Sequence, residues 1–400
     1  MQIRLQILLL LLIICFQINA QTDTTRLFVF GNSTINHEFQ TIPTPSNETA
    51  VPHWVYLLAE HENRNFAAGG VYGFLPWFAT LEFFSQWGFD IVPGVWESDT
   101  ETFAEADITT VLITGANFIQ WQAPYLPYPN EGGVTPLSAT ETLTDWVSQQ
   151  EDSIKIYIYE NWPDMAGYLG NGFPPTAQEF EDYNDYTQNG FHDWWLEYHD
   201  SLLVAQSDNN IRMIPVGNVL SKLFTETVLD QLPITEIYED DAPHGRATLY
   251  FLAGLITYMA IYETEAPADY SVPSIIHPIV QNNYTTVVSF IWSELQNFTD
   301  ANGDNRVFCP TNTSVANVVL TNDCISLYPN PTNNVFEIEG LLGDYNIEIL
   351  DASGAVYQSL NTTNSSIEID ITSLPMGLYF ISMVNVNNGA LSMQKILKGN

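Results

Sequence analysis

In RLFVFGNSTINHEF, residues 26–39, a serine follows an apolar run by two residues, across Gly31 and Asn32. A serine hydroxyl is a weak nucleophile until a base takes its proton, so Ser33 needs a histidine. The chain has seven: His37, His53, His61, His192, His199, His244 and His277. Only His244, in EDDAPHG (239–245), has an acid placed to complete a relay, with Asp241 three residues before it. That carboxylate would hold one ring nitrogen and turn the other toward the serine. Attack on a carbonyl also needs donors for the oxyanion. Asn117, in Gly115-Ala116-Asn117, offers an amide. Gly69 or Gly70 in FAAGGVYG (66–73) offers a backbone N–H where the chain can approach closely. The Ser33 N–H is the third donor.

These groups need a scaffold that collects them. RLFVF (26–30), DITTVLIT (107–114), SIKIYIY (153–159) and IRMIPV (211–216) read as buried strands. Between them, 51–62, 137–150 and 191–206 have helical spacing, and another helix starts near Arg246. Ser138, with Glu141 three residues on, reads as the capping box of the second. Alternating strands and helices imply a parallel sheet covered on both faces, with reactive groups beyond the carboxyl ends of its strands. Ser33 and Asn117 both follow strands.

In order, FGNS, GG, GAN and DxxH resemble the four blocks of the SGNH (GDSL-type) hydrolase superfamily, over residues 26–262. The resemblance implies a three-layer α/β/α, flavodoxin-like parallel sheet over residues 22–298. It implies Ser33 as nucleophile, His244 as base, Asp241 as its partner, and Ser33, Gly69 or Gly70 and Asn117 at the oxyanion. It further implies hydrolysis of esters, including acetyl groups on polysaccharides, with no metal or cofactor. Three positions depart from the blocks. Asn32 replaces the usual acid, Thr34 the common leucine, and Phe118 the aspartate that typically follows the asparagine. They support an alternative, a catalytically inactive SGNH-scaffold surface protein that binds glycans. Aromatics crowd the region: Trp77, Trp87, Trp96, Trp121, Tyr125, Tyr128 and Trp162. Most read as core; those in WQAPYLPYPNEGG (121–133) could line a sugar pocket.

His192 and His199, seven apart, share a helix face, and Trp194 and Trp195 make it a packing helix rather than a metal site. Asp300-Ala-Asn-Gly-Asp304 has the start of a calcium loop but carries Asn305 at the sixth position and Thr311 at the twelfth. With 47 acidic and 10 basic residues the formal charge is −37, which disfavours nucleic acid and anionic lipid as partners.

The texture changes near residue 300. Residues 299–324 read as a linker, and beyond it about seven short alternating strands indicate a β-sandwich over 325–400. Tyr-Pro-Asn-Pro (328–331), Ile-Leu-Asp-x-x-Gly (349–354), Leu-Pro-x-Gly-Leu-Tyr (374–379) and a terminal Lys-Ile-Leu-Lys (395–398) resemble the C-terminal sorting domain of the type IX secretion system. That implies an Ig-like sandwich read by the secretion machinery and a secreted or cell-surface protein. Residues 1–20 have one basic residue, a short apolar run and Ala20, the pattern of a cleaved signal peptide. No later segment reads as a membrane span. Of three cysteines, Cys15 leaves with the signal, and in an oxidising compartment Cys309 and Cys324 most simply form a disulfide.

Overall fold

The structure is a computed structural model. It describes residues 24–37, 48, 50–82, 87–115, 122–129, 131–150, 154–206, 211–242, 244–308, 325–341, 343–351, 354–386 and 391–399. The signal peptide, Asn117, Phe118, Trp121, Thr311, Cys309 and Cys324 lie outside the described residues.

The N-terminal part is built on five parallel strands: β1 (Thr24–Gly31), β2 (Asn65–Tyr72), β3 (Thr110–Thr114), β4 (Lys155–Tyr159) and β5 (Ile211–Ile214), in the order β2-β1-β3-β4-β5. Successive strand residues point to opposite faces, and here both faces are apolar. Leu27, Val29, Leu112, Tyr157, Tyr159 and Ile214 enter one core; Phe28, Phe30, Val111, Ile113, Ile156 and Ile158 enter the other. Helices α1 (Val51–His61), α5 (Val216–Glu226), α6 (Ala247–Tyr262) and α7 (Tyr284–Asn297) cover the first face. Helices α2 (Pro136–Ser148) and α4 (His192–Ala205) cover the second, and α3 (Ala177–Tyr186) precedes α4. This is the expected α/β class, with one strand more than the apolar runs indicated. Asn65–Tyr72 has little β-branched character and a Gly-Gly pair, yet forms the edge strand β2. Gly70 is the reason it fits, since a Cβ there would overlap the backbone carbonyl of Val29 on β1.

Helix α6 is apolar all round, and Ala247 through Ile261 are all buried. A helix without a polar face must be covered on every side, and α6 lies between the sheet and the helices α1, α5 and α7. Gly254 lets α1 in, because a Cβ at that position would stand 2.5 Å from Cβ of Trp54. The α2 cap differs from expectation. Thr135 is the cap, Pro136 opens the helix, and the reciprocal bonds run between Thr135 and Ser138, so Ser138 is the third helical residue and not the cap.

His199 is a core residue of α4. Its Nε2 donates to the Ile211 carbonyl at 3.2 Å, and its Nδ1 accepts from Arg306 Nη1 at 2.8 Å. Arg306 also pairs with Asp200 at 2.6 Å, and its carbonyl accepts from Met213 N–H at 2.9 Å. Val307 is fully buried in the first core. Residues 299–308, expected to be linker, thus pack on β5. In that loop both Asn302 and Asp304 N–H donate to Asp300 Oδ1, so this carboxylate closes a turn of its own.

Among the described residues, seven antiparallel strands, β6 (Ser326–Tyr328), β7 (Val335–Glu339), β8 (Tyr345–Asp351), β9 (Val356–Thr362), β10 (Ser366–Asp370), β11 (Gly377–Asn385) and β12 (Leu391–Lys398), form the C-terminal part in two sheets, β10-β7-β6 and β12-β11-β8-β9. Along β11 (Gly377–Asn385), Tyr379, Ile381 and Met383 point inward at every second position and join Phe336, Ile338, Ile347, Ile349, Ile369 and Ile396 in a sandwich core.

Two measurements test these packing accounts. Gly70→Ala is expected to lower stability by about 1–3 kcal/mol, read from chemical denaturation. Burial, the larger effect, holds His53 down to about 4 against the attraction of Asp90; burial first, with Arg306, likewise holds His199 down to about 4 against the pull of the Ile211 carbonyl. The unfolded chain takes up these protons near 6.5. Their contribution to stability is therefore whole above that pH and lost as the pH falls toward 4. His53→Leu is expected to make the acid-side fall of the unfolding midpoint shallower, measured by thermal denaturation across that window.

Candidate active site

The carboxyl end of β1 turns sharply. Ile35 N–H donates to the Asn32 carbonyl at 2.9 Å, and Asn32 Oδ1 accepts from Thr34 N–H at 3.0 Å and from its hydroxyl at 2.8 Å. Asn32 and Thr34, two of the departures from the SGNH blocks, are therefore the pair that fixes this turn, and both are buried. Ser33 stands at its crest, partly exposed.

Its partner arrives from the far end of the domain. The loop 238–245 is pinched shut by the Tyr238–Gly245 bridge and by Glu239 N–H donating to the His244 carbonyl at 2.7 Å. His244 leaves this loop just before α6, which fixes its position against the sheet. One turn into the helix, the Tyr250 hydroxyl donates to the Ser33 carbonyl at 2.5 Å. Burial raises the Tyr250 pKa well above its usual range, so this phenol remains a donor.

His244 Nε2 lies 3.1 Å from Ser33 Oγ. Its Nδ1 lies 2.7 Å from Oδ2 of Asp240, not of Asp241. The loop explains the one-residue difference. Asp240 Oδ1 accepts from Ala242 N–H at 3.0 Å and His244 N–H at 2.9 Å, which brings its other oxygen to the ring of the same histidine. Asp241 is instead engaged through its backbone, its carbonyl accepting from Met165 N–H at 3.0 Å. Burial pushes the Asp240 carboxyl up, but the hydrogen bonds from the His244 ring and from the two amides outweigh it and hold the group below its ordinary value. A charged carboxylate, an imidazole and a hydroxyl thus form one hydrogen-bonded chain. Such a chain can take a proton from the hydroxyl while Asp240 stabilises the cation formed on the ring.

The expected oxyanion glycines are placed otherwise. Gly69 and Gly70 lie inside β2, with Gly70 opposite Val29. That is two residues, about 7 Å, below the level of Gly31. The glycine at the rim is Gly73, whose N–H donates to the Gly31 carbonyl at 2.8 Å. Tyr72, missed in the sequence, pairs with Gly31 at the end of β2, is half exposed and meets Trp87 edge-on at 5.4 Å. Its only signal was its position before Gly73. Of the aromatics named from the sequence, Trp162 and Tyr128 are core, and Tyr125 is exposed.

Two other polar groupings stand apart from Ser33. Glu160, fully buried just after β4, has both oxygens 3.0 Å from His192 Nδ1. Burial raises its pKa, and His192 and the Asn218 N–H at the start of α5 oppose that rise. This pair ties β4 to α4 and α5. His61, Glu62 and Asp269 bring possible metal-ligand atoms within 4.8 Å of one another, but all three are exposed, and His61 already bonds Asp269 at 3.0 Å. Among the described residues no helix is long and apolar enough to cross a membrane.

No curated protein matches this chain. Among solved structures it is similar to PorZ, a surface component of the type IX secretion system of Porphyromonas gingivalis, at 16% identity and TM-score 0.17 over 19% of this chain and 11% of that one. It is also similar to Axe2, an acetylxylan esterase from Geobacillus stearothermophilus, at 13% identity and TM-score 0.33 over 60% of this chain and 94% of that one. A third similarity, at 10% identity and TM-score 0.17 over 74% and 93%, is to the endo-β-1,4-mannanase of Thermotoga petrophila. Likenesses this distant carry no substrate with them. One family matches directly, the secretion system C-terminal sorting domain, over residues 326–398. The C-terminal sandwich is accordingly a sorting domain of the type IX secretion system, and it marks the protein for secretion or the cell surface.

Proposed function

We propose that this protein is an exported serine ester hydrolase, with Ser33 as nucleophile, His244 as general base and Asp240 as the carboxylate that orients and charges the base. The observation that carries this reading is the continuous hydrogen-bonded chain from Asp240 through His244 to Ser33, at 2.7 and 3.1 Å, at the carboxyl end of a parallel sheet. The loop that carries Asp240 and His244 and the turn that carries Ser33, far apart along the chain, bring the three groups together in the order that serine activation requires.

In the first half-reaction, His244 Nε2 takes the Ser33 proton as Oγ attacks the ester carbonyl, and the tetrahedral oxyanion is held by the Ser33 N–H, with the Asn117 amide as the further donor that the SGNH resemblance implies. Collapse expels the alcohol, which receives the proton from His244. Water, deprotonated by the same ring, then attacks the acyl-serine, and His244 returns the proton to Ser33 Oγ as the bond to the acyl group breaks and the acid leaves. Exposed Tyr72, paired with Gly31 at the end of the strand that leads to Ser33, gives an aromatic face suited to a sugar ring. We take the substrate class to be acetylated glycans. The sorting domain is the handle by which the type IX machinery would deliver this enzyme.

Ser33→Ala is expected to lower hydrolysis of p-nitrophenyl acetate by about 10,000-fold or more with an unchanged far-UV circular dichroism spectrum; retained turnover would sink the reading. Between the adjacent acids, Asp240→Asn is expected to cost roughly 100-fold in kcat and Asp241→Asn little. The reverse order would return the orienting role to Asp241. Acetate released from acetylated xylan or mannan, measured enzymatically, tests the substrate class; activity on the aryl ester alone would remove it.

A further inference from the structure

The chain from Asp240 to Ser33 leaves one degree of freedom in the base. Hydrogen bonds at Nδ1 and Nε2 lie near the plane of the ring and fix two of its points, but the ring can still tilt about the line joining them. In this protein a second imidazole blocks that tilt. His37 lies flat against His244, with ring centroids 3.9 Å apart and planes 4° from parallel. His37 is itself carried on fixed backbone. The turn at Ser33 is closed by Asn32; Asn36 then bridges Ala50, and Val51 N–H donates to the Ile35 carbonyl at 2.8 Å, which anchors the segment to the start of α1.

We infer that His37 is a positioning residue for His244, holding the plane of the base in line with Ser33 Oγ. This inference rests on the assignment of Ser33, His244 and Asp240 proposed above. The contact is between faces, so a flat aromatic ring of another kind can replace His37, whereas an aliphatic side chain cannot.

The experiment compares His37→Ala and His37→Phe with the full-length wild-type protein on p-nitrophenyl acetate, with Ser33→Ala alongside. The expected result is a fall in kcat of about tenfold for His37→Ala, with KM changed by less than about twofold and recovery of most of kcat in His37→Phe. Unchanged kcat in His37→Ala, or a Phe variant no better than the Ala variant while both keep the wild-type unfolding midpoint, would overturn the role. If His37→Ala does not fold, His37→Asn, which keeps polarity and removes the ring, gives the same comparison. Loss of turnover in Ser33→Ala together with no effect at His37 would leave the hydrolase reading standing and remove this inference alone. Retained turnover in Ser33→Ala would remove both.

Discussion

The burial of α6 is the constraint on which the rest of this domain depends. Fifteen consecutive helical residues without a polar face have to be covered on every side, and the sheet, α1, α5 and α7 do so together. Each fully buried large apolar side chain contributes about 1.5–3 kcal/mol, so this helix has one place to be. Its start is therefore one of the best fixed points in the molecule. His244 sits three residues ahead of it, and Tyr250, one turn in, bonds the Ser33 carbonyl. The same burial that organises the core sets the distance between an imidazole and a hydroxyl.

The turn bearing Ser33 is fixed independently. Asn32 stands where the SGNH pattern has an acid, and here its side chain is consumed in holding Thr34. A charged side chain at this buried position would cost desolvation, whereas the amide meets the local donors. Asn32 at this position is thus a local solution for the turn. Asp240 is likewise committed locally, accepting from two amides of its own loop before it meets the ring. These bonds hold the carboxylate charged beside the imidazole.

Much of this was legible in the chain. Apolar runs located four of the five parallel strands, the helical spacing located α1, α2 and α4, and the alternation beyond residue 325 gave a seven-stranded sandwich. The strand β2 escaped because its glycines answer to close contact with β1, which local propensity does not report. For the same reason Gly69 and Gly70 read as rim residues, although the strand carries them below it. Ser33 and His244 were visible because each lies at a boundary between elements, where side chains face the open end of the sheet.

Adjacent acids are a different case. In Glu-Asp-Asp-Ala-Pro-His, spacing alone favours the aspartate three residues before the histidine, and the loop selects the one four before it, because its amides converge on that carboxylate. Nothing local distinguishes the two. Nor does the first stretch reveal that His37 will lie against a ring from the far end of the domain. The sequence by itself determined the residue types, the layers and the segments that carry the reactive groups, because hydrophobic periodicity and turn chemistry act over a few residues. Which acid meets the imidazole, which glycine reaches the rim and which ring covers the base were decided only by tertiary structure, since each depends on contacts between segments that local patterns cannot encode.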